Sequence, residues 1–575
     1  MTSGRVTTAA EGARVPAHAQ GRSGESPAPA GLSIFPRSPM TRSRRLPTRP
    51  ATAVGLAILG LAVAPPGATA AGGVTTKLRW RACGEGFQCA TARVPRNYAR
   101  PGGPALRLRV TRKRATSPAR RLGSLFVNFG GPGDATAETL RAGGLSAFRS
   151  LNDRFDIVGF DPRGTGGTDA IDCRANLELV GPSAQPFPRP STLDAAALIA
   201  RNQAYISRCL ALNPRILPFV TTANTARDMD RIRRALGEDR IAFFGFSYGT
   251  FLGTTYETLF PAHVGRFVLD GAVAPDEYLN DPIRSVRDQT RAFEVALGRF
   301  LRACAAHQSA CGGFGGGRPR AAFDGLVESM NASPLPSRGR DARTADGDDL
   351  LAGSTAALTA KQGWPFLAEA LRQAARGDGT GVRRLADAAY LRRPGGTYDP
   401  LLDRFIAISS LEARASGPVE RYLAIGAEDF RLFPHFWWNS GYGAITAALW
   451  PVRARGAYYG PYSAPASASP TLVVGTTFDP ATPYADARIL TRDLGNARLL
   501  TMHGDGHTAY GANSRCINRA VDAYLEAGVV PAPGKVCRQT VRFRRLHGQA
   551  PRTAGSVARQ MRVPRLGPPP AAVLR

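Results

Sequence analysis

The pentapeptide Gly-Phe-Ser-Tyr-Gly at residues 245–249 constrains the fold more than any other segment of this 575-residue chain. A short apolar run, residues 240–244, precedes it, and residues 250–260 can form a helix. Strand, G-x-S-x-G and helix in this order are typical of a nucleophile elbow, a tight turn that holds a serine in strained backbone geometry. The alternative is a chance match, because a chain with 63 glycines can contain such a motif without any function. We predict that Ser247 is a nucleophile. The presence of a histidine and an acid at suitable positions decides between a catalytic elbow and a chance match.

Histidine is the usual base for such a serine, and the chain contains seven. His507 is our candidate because it follows an apolar run, residues 497–502, and stands in a glycine-rich loop that allows it to reach over a serine. His503 is the nearest rival, and we interpret it as a surface residue that ends the same strand. The other five have unsuitable positions: His18, His263, His307, His435 and His547.

The acid of the triad is expected between the serine and the histidine, also at a strand end. Residues 471–475 have the composition of a buried parallel strand, and Asp479 is the only carboxylate in the segment 476–483 that follows. We therefore predict that Asp479 orients His507. Asp486 is the fallback acid, although we expect a solvated helical charge there. Asp505 is expected to be a carboxylate on the loop surface.

An oxyanion hole is the fourth requirement, because negative charge develops on the substrate carbonyl oxygen during attack. Residues 125–129 resemble a strand, and the turn Gly-Gly-Pro-Gly follows at 130–133. We predict that the N–H groups of Gly131 and Tyr248 form the hole. The alternative is a tight turn with no role in chemistry.

Further strand-and-turn segments occur at residues 155–164 and 267–271. Several such units in series, separated by helices, predict a doubly wound, mostly parallel sheet. The expected fold class is therefore α/β.

The N-terminal region has the anatomy of an export signal. Met40 is followed by a basic segment, an apolar run at 53–64 and Ala-Thr-Ala at 68–70. The run is too short to span a bilayer. We predict secretion, with Met40 as an alternative start. Because Arg44 and Arg45 are adjacent, the sequence leaves open whether export uses the twin-arginine or the general secretory pathway.

All eight cysteines follow the predicted signal, and an even number fits an oxidising compartment. Eight cysteines allow 105 connectivities. Pairing each cysteine with its neighbour in the sequence is the simplest choice. We therefore expect disulfides that close single loops: Cys83–Cys89, Cys173–Cys209, Cys304–Cys311 and Cys516–Cys537. A metal site is the rival, but no C-x-x-C or Cys/His cluster is present.

The formal charge of +30 by itself indicates a nucleic-acid or anionic partner. Residues 1–71 hold 8 basic and 2 acidic residues, and residues 535–575 hold 10 basic and none acidic. The remaining 56 basic and 42 acidic residues leave +14 over the body of the chain. More than half of the charge therefore lies outside the catalytic body, and we expect no nucleic-acid partner.

In order and spacing, the segments 130–133, 161–166, 245–250, 268–271, 479–483 and 504–507 resemble the α/β-hydrolase serine exopeptidases of the proline iminopeptidase clan. Within it they are similar to the exported tripeptidyl aminopeptidases of high-GC bacteria. The likeness extends from about residue 80 to residue 537. It implies an α/β-hydrolase fold with an inserted helical cap that restricts access to chain ends.

The expected organisation has six parts. They are a disordered or over-extended N-terminus (1–39), the signal (40–71), the first core part (72–274), the cap (275–469), the second core part (470–537) and a basic disordered tail (538–575). The resemblance also implies cap carboxylates that hold a substrate α-ammonium, at Glu428 and Asp429. The alternative for this pair is a solvated helix face.

The favoured hypothesis is a secreted serine aminopeptidase that releases short peptides, tripeptides by resemblance, through an acyl-enzyme. An esterase or related acyl hydrolase on the same fold is the alternative, because fold and triad do not determine the substrate. A non-enzymatic binder of anionic polymers is the third hypothesis. We expect peptides with free N-termini as partners, no cofactor, no metal and no membrane span. Peptide length, P1 preference and oligomeric state stay open.

Overall fold

The computed structural model describes residues 74–174, 187–338, 343–415 and 417–545. The predicted export signal and the residues before it lie outside these ranges. The same holds for the predicted tail from residue 546 onward.

Twelve strands occur in the described residues, ten of them in one sheet and two in a separate short pair. In chain order they are β1 (Arg81–Ala82), β2 (Phe87–Pro95), β3 (Ala105–Lys113), β4 (Gly123–Asn128), β5 (Phe155–Phe160), β6 (Ile241–Phe246), β7 (Val264–Asp270), β8 (Leu335–Pro336), β9 (Thr344–Ala345), β10 (Thr471–Phe478), β11 (Ala497–Asp505) and β12 (Val536–Arg538).

The large sheet has the order β1-β2-β3-β5-β4-β6-β7-β10-β11-β12. From β5 to β12 neighbouring strands are parallel, and β1, β2 and β3 join antiparallel at one edge. Successive side chains enter different cores, since Leu125 and Val127 pack on one face and Phe126 on the other. Both faces are therefore covered, which confirms the predicted α/β doubly wound sheet.

Fifteen helices accompany these strands in the described residues. They are α1 (Thr136–Arg141), α2 (Ala195–Leu212), α3 (Thr222–Leu236), α4 (Tyr248–Leu259), α5 (Pro275–Asn280), α6 (Pro282–Ala306), α7 (Pro319–Ala332), α8 (Gly347–Leu358), α9 (Trp364–Ala374), α10 (Thr380–Ala389), α11 (Leu401–Glu412), α12 (Val419–Leu432), α13 (Ile445–Ala448), α14 (Tyr484–Leu494) and α15 (Arg515–Ala527).

Between β7 and β10 the chain forms helices α5–α13 and the short β8–β9 pair. Phe300, Leu351 and Leu371 belong to an apolar core made largely of this insertion. Its longest helix, α6, begins where Asp281 accepts a hydrogen bond from the N–H of Arg284 (3.3 Å) and Pro282 occupies the first turn. The insertion is thus mainly helical, and it meets the sheet through α6, whose Arg299 lies over the Phe478 ring, and through α11, whose Ala407 and Leu411 join a core on one sheet face.

The structure joins the cysteines as Cys83–Cys89, Cys173–Cys209, Cys304–Cys311 and Cys516–Cys537. The last bridge ties α15 to β12 at the edge of the sheet. Over the described ranges, no helix combines the length and apolar character that a bilayer crossing requires.

Candidate active site

Ser247 occupies the turn between β6 and α4 with backbone angles φ 56° and ψ −128°. A non-glycine residue at positive φ is strained, as expected at a nucleophile elbow. A Cβ atom on Gly245 would lie 2.3 Å from the Gly249 carbonyl oxygen, and one on Gly249 would lie 2.8 Å from the Asn128 carbonyl oxygen. The glycines of the motif are therefore required because backbones meet at the turn.

His507 and Asp479 lie side by side in the interior, at 1% and 2% exposure. The His507 Nδ1 is 2.8 Å from Asp479 Oδ2 and 3.0 Å from Oδ1. The carboxylate also accepts hydrogen bonds from the N–H groups of Ala481 and Thr482, both at 2.9 Å. Because an ionised carboxylate only accepts, Nδ1 carries the proton and Nε2 is left as the basic atom. Within the described chain, that buried Nε2 has no hydrogen-bond partner.

The Ser247 turn and the His507 loop meet at the end of β7. The Ser247 N–H donates to the Asp270 carbonyl oxygen at 2.9 Å. A Cβ atom on the next residue, Gly271, would lie 2.9 Å from His507 Cε1. The predicted serine, acid and histidine are thus brought to the carboxyl ends of β6, β10 and β11, three strands of one parallel series.

The glycine turn after β4 lies beside the elbow, since Gly249 packs against Asn128 at the end of that strand. Gly130, Gly131 and Gly133 all have positive φ, between 94° and 108°. In the described part of the chain, neither the Gly131 N–H nor the Tyr248 N–H donates a hydrogen bond within the protein. Two backbone donors are therefore available next to the turn of the serine, as an oxyanion hole requires.

Glu428 and Asp429 on α12 are both paired with one cation. Arg287 Nη2 is 2.5 Å from Glu428 Oε2 and 2.8 Å from Asp429 Oδ1, and Ser440 donates to the other Asp429 oxygen. Asp429 is fully buried, whereas half of the Glu428 side chain is exposed. The alternative of a solvated helix face is wrong for Asp429, and both carboxylates are paired with Arg287.

Helix α6 contacts both the α12 pair and the loop that carries Asp479. Gln289 follows Arg287 by two residues and donates to the Ala481 carbonyl oxygen at 2.6 Å, next to Asp479. Residues two apart on a helix point to nearly opposite sides. Arg287 and Gln289 therefore point away from each other on α6, and over the described residues no hydrogen bond or ion pair joins Glu428 or Asp429 to residues 247, 479 or 507.

A different carboxylate, that of Asp486, lies near the loop that carries Asp479. Asp486, which the sequence suggests to be solvated, is half-buried at the start of α14. Burial raises its pKa to about 8, and the negative charges of Glu277, Asp288 and Asp479 contribute to the rise. Glu277 and Asp288 thus place negative charge beside Asp486 and Asp479, a feature without a local sequence signal because Glu277, Asp288 and Asp486 come from three helices.

Asp505 is the clearest correction to the sequence interpretation. It is 4% exposed rather than a surface carboxylate, and it binds Arg299 and Lys361 of the inserted helices. His503 is exposed, as expected, although β11 continues beyond it to Asp505. The excluded His435 binds Glu294 and Asp324 in the cap, far along the chain from the triad.

Comparisons with known proteins agree with this architecture. Residues 438–537 match the family model described as TAP-like protein. The chain is 32% identical to serine protease Hip1 of Mycobacterium tuberculosis over 79% of this chain and 87% of the relative. It is also 32% identical to carboxylesterase B of M. tuberculosis (84% and 96% covered) and to tripeptidyl aminopeptidase of Streptomyces lividans (78% and 83%). The chain therefore belongs to the tripeptidyl aminopeptidase-like serine hydrolases with the α/β-hydrolase fold.

Proposed function

We propose that this hydrolase is a secreted serine peptidase that releases short peptides, tripeptides above all, from free N-termini. The observation that carries the proposal is the buried Asp479–His507 pair, with a basic Nε2, at the strand ends where Ser247 is held in a strained turn. Relatives named serine protease and tripeptidyl aminopeptidase support the peptidase class.

In the proposed reaction, Ser247 Oγ attacks the scissile carbonyl carbon while His507 Nε2 takes the hydroxyl proton. Asp479 stabilises the imidazolium that forms, and the N–H groups of Gly131 and Tyr248 bind the oxyanion. His507 then gives the proton to the leaving amine, which yields an acyl-enzyme. In the second half of the reaction, His507 takes a proton from a water molecule that attacks the ester and returns it to Ser247 Oγ, which frees the peptide.

Selection of a free N-terminus requires a carboxylate near the acyl site, because a buried ammonium needs a charged partner. The resemblance assigns this role to Glu428 and Asp429, which are paired with Arg287. The charge around Asp486 is the rival, because it lies near Asp479. Variants of both sets therefore separate the two locations.

Secretion is proposed from the signal-like N-terminus and the four disulfides, which persist in oxidising compartments. A carboxylesterase is the second candidate, since the relative with that name is as similar as the peptidases. Both functions use the same triad and differ in the need for an ammonium group on the substrate.

The deciding experiment treats the secreted protein with a fluorophosphonate probe and then offers tripeptide anilides with free or acetylated N-termini. We expect labelling at Ser247, turnover of the free substrate and at least about 100-fold slower turnover of the acetylated one, since a desolvated charged contact is lost. Ser247→Ala is the control and should lose both signals. Equal turnover of the two anilides would favour the esterase, and an unlabelled wild type would refute both functions.

A second set of variants locates the ammonium site. Glu428→Gln combined with Asp429→Asn should raise KM for the free tripeptide if α12 holds the ammonium, and Asp486→Asn should do so if the α14 carboxylate does. Glu420→Gln, an exposed change on α12, is the matched control. A KM unchanged in both variants would reject both sites.

A further inference from the structure

Asp505 connects the His507 loop to the inserted helices. It precedes His507 by two residues and is almost fully buried. Its Oδ1 accepts a hydrogen bond from Arg299 Nε on α6, and its Oδ2 lies 2.7 Å from Lys361 Nζ after α8. Although burial alone would raise the pKa of this carboxyl, the two cations hold it below its usual value. Asp505 is therefore an ionised anchor that two residues of the insertion bind.

Arg299 also contacts the loop that carries Asp479. Its guanidinium carbon lies 3.4 Å from the centre of the Phe478 ring, and Phe478 directly precedes Asp479. Phe478 and Asp505 are partners in the register between β10 and β11. One planar cation thus covers the last paired residues of both strands, through an ion pair on one side and a cation–π contact on the other.

Backbone contacts reinforce this connection. The His507 N–H donates to the Thr359 carbonyl oxygen at 2.7 Å. Gly506 and Ala360 form an isolated antiparallel bridge. Residues 359–361 therefore line the His507 loop directly, and Lys361 adds its charge to the same loop.

We propose that Arg299 and Lys361 are positioning residues, which hold the Asp479 and His507 loops in register so that the triad is aligned only while the helical insertion is docked. The proposal rests on the triad of the proposed function. Neither residue has a part in the chemistry itself: each acts through Asp505, and Arg299 also through Phe478. A displacement of about 1 Å in a catalytic group can cost about 100-fold in rate, so a lost anchor is expected to reduce kcat.

The test compares Arg299→Gln with Arg302→Gln, a matched change one turn further along α6. Arg302 is exposed and forms no ion pair with any residue that the structure describes. Two readouts avoid any need for N-terminal recognition: steady-state hydrolysis of p-nitrophenyl acetate and the rate of fluorophosphonate labelling of Ser247. Arg299→Gln should lower kcat and the labelling rate by about 10- to 100-fold with KM changed less than about 2-fold. Arg302→Gln should match the wild type.

Two further variants distinguish positioning from a general loss of stability. Arg299→Lys keeps a cation for Asp505 but loses the planar stack, so it should recover part of kcat, and Phe478→Leu should reproduce the remaining loss. The double variant of Arg299→Gln and Asp505→Asn should be little worse than either single variant, because the residues act as one unit. Thermal unfolding identifies variants that fail to fold, and Arg299→Lys and Phe478→Leu then provide the test.

Several outcomes would overturn the proposal. A folded Arg299→Gln with wild-type kcat, a loss confined to KM, or an equal loss in Arg302→Gln would each refute positioning. A wild type that hydrolyses the ester without labelling at Ser247 would refute the triad and the positioning proposal together. A labelled wild type with unaffected Arg299 variants would refute positioning alone and leave the proposed function standing.

Discussion

The backbone N–H of Ser247 donates a 2.9 Å hydrogen bond to the carbonyl oxygen of Asp270. The carboxylate of the same aspartate accepts bonds from the N–H groups of Ala509 (2.9 and 3.0 Å) and Tyr510 (2.8 Å), just after His507. Burial raises the pKa of Asp270 to about 7, while these bonds oppose the rise. One residue at the end of β7 therefore ties the Ser247 turn to the His507 loop.

We predict that Asp270→Asn lowers kcat for p-nitrophenyl acetate by about 10-fold or more, because the amide keeps one accepting oxygen and presents an NH2 group where the second carboxylate oxygen accepts from the Ala509 N–H. Steady-state kinetics on the purified variant measure the effect, and Asp239→Asn, an exposed change before β6, is the control. A variant with wild-type kcat would show that the loop of the base is held without the Asp270 carboxylate.

Asp479→Asn tests whether the Asp479 carboxylate orients the His507 ring. The asparagine amide favours the wrong imidazole tautomer, so we expect kcat to fall by about 10⁴-fold while the fold is retained. Labelling by a fluorophosphonate should slow in parallel. If Asp486 is the functional acid instead, Asp486→Asn will produce the large loss and Asp479→Asn a small one.

Local sequence patterns indicate Ser247, Asp479 and His507 as candidates because each stands where a strand ends in a turn. The elbow also carries its own steric reason in Gly245 and Gly249, whose Cα atoms face other backbone atoms. Such signals lie within a few residues of the site. For the same reason the series of apolar strands predicts the doubly wound sheet correctly.

Asp505 differs from the sequence prediction, and Asp429 differs from its solvated alternative, because their partners lie far away in the chain. Arg299 and Lys361 are 206 and 144 residues from Asp505, and no local pattern indicates that a helix from the insertion will cover it. Arg287 is likewise remote from Asp429 and lies on another helix. Burial of a charge depends on tertiary packing, which periodicity within one segment does not report.

Arg163 and Asp228 form an ion pair with both side chains fully buried. Arg163 donates to Asp228 Oδ2 at 2.8 Å and Oδ1 at 2.6 Å, and to the carbonyl oxygens of Arg96 and Phe219. We expect Arg163→Met to lower the free energy of unfolding by about 3–5 kcal/mol, because the Asp228 charge is left buried without its partner. Urea denaturation measures this change.

The control for the buried pair is Arg120→Met, which breaks an exposed pair with Asp153 and should cost less than about 1 kcal/mol. The double variant of Arg163→Met and Asp228→Leu should recover much of the loss, since both buried charges are then removed. Equal costs for the two single variants would show that the buried pair adds no more than a surface contact.

Glu257 on α4 is fully buried and has one hydrogen-bond partner among the described residues, Thr471 Oγ1 at 2.5 Å. Burial raises its pKa from 4.5 to about 8. The folded state therefore keeps a proton that the unfolded state releases. As a result, the free energy of unfolding falls by roughly 1.4 kcal/mol per pH unit as the pH rises between these two pKa values. Glu257→Gln should remove this contribution and gain stability over wild type, with the gain growing up to about pH 8. Urea unfolding at several pH values measures this gain, and the control Glu420→Gln should follow the wild type. If the free energy of unfolding of Glu257→Gln changed with pH in parallel with that of the wild type, the raised pKa would be contradicted.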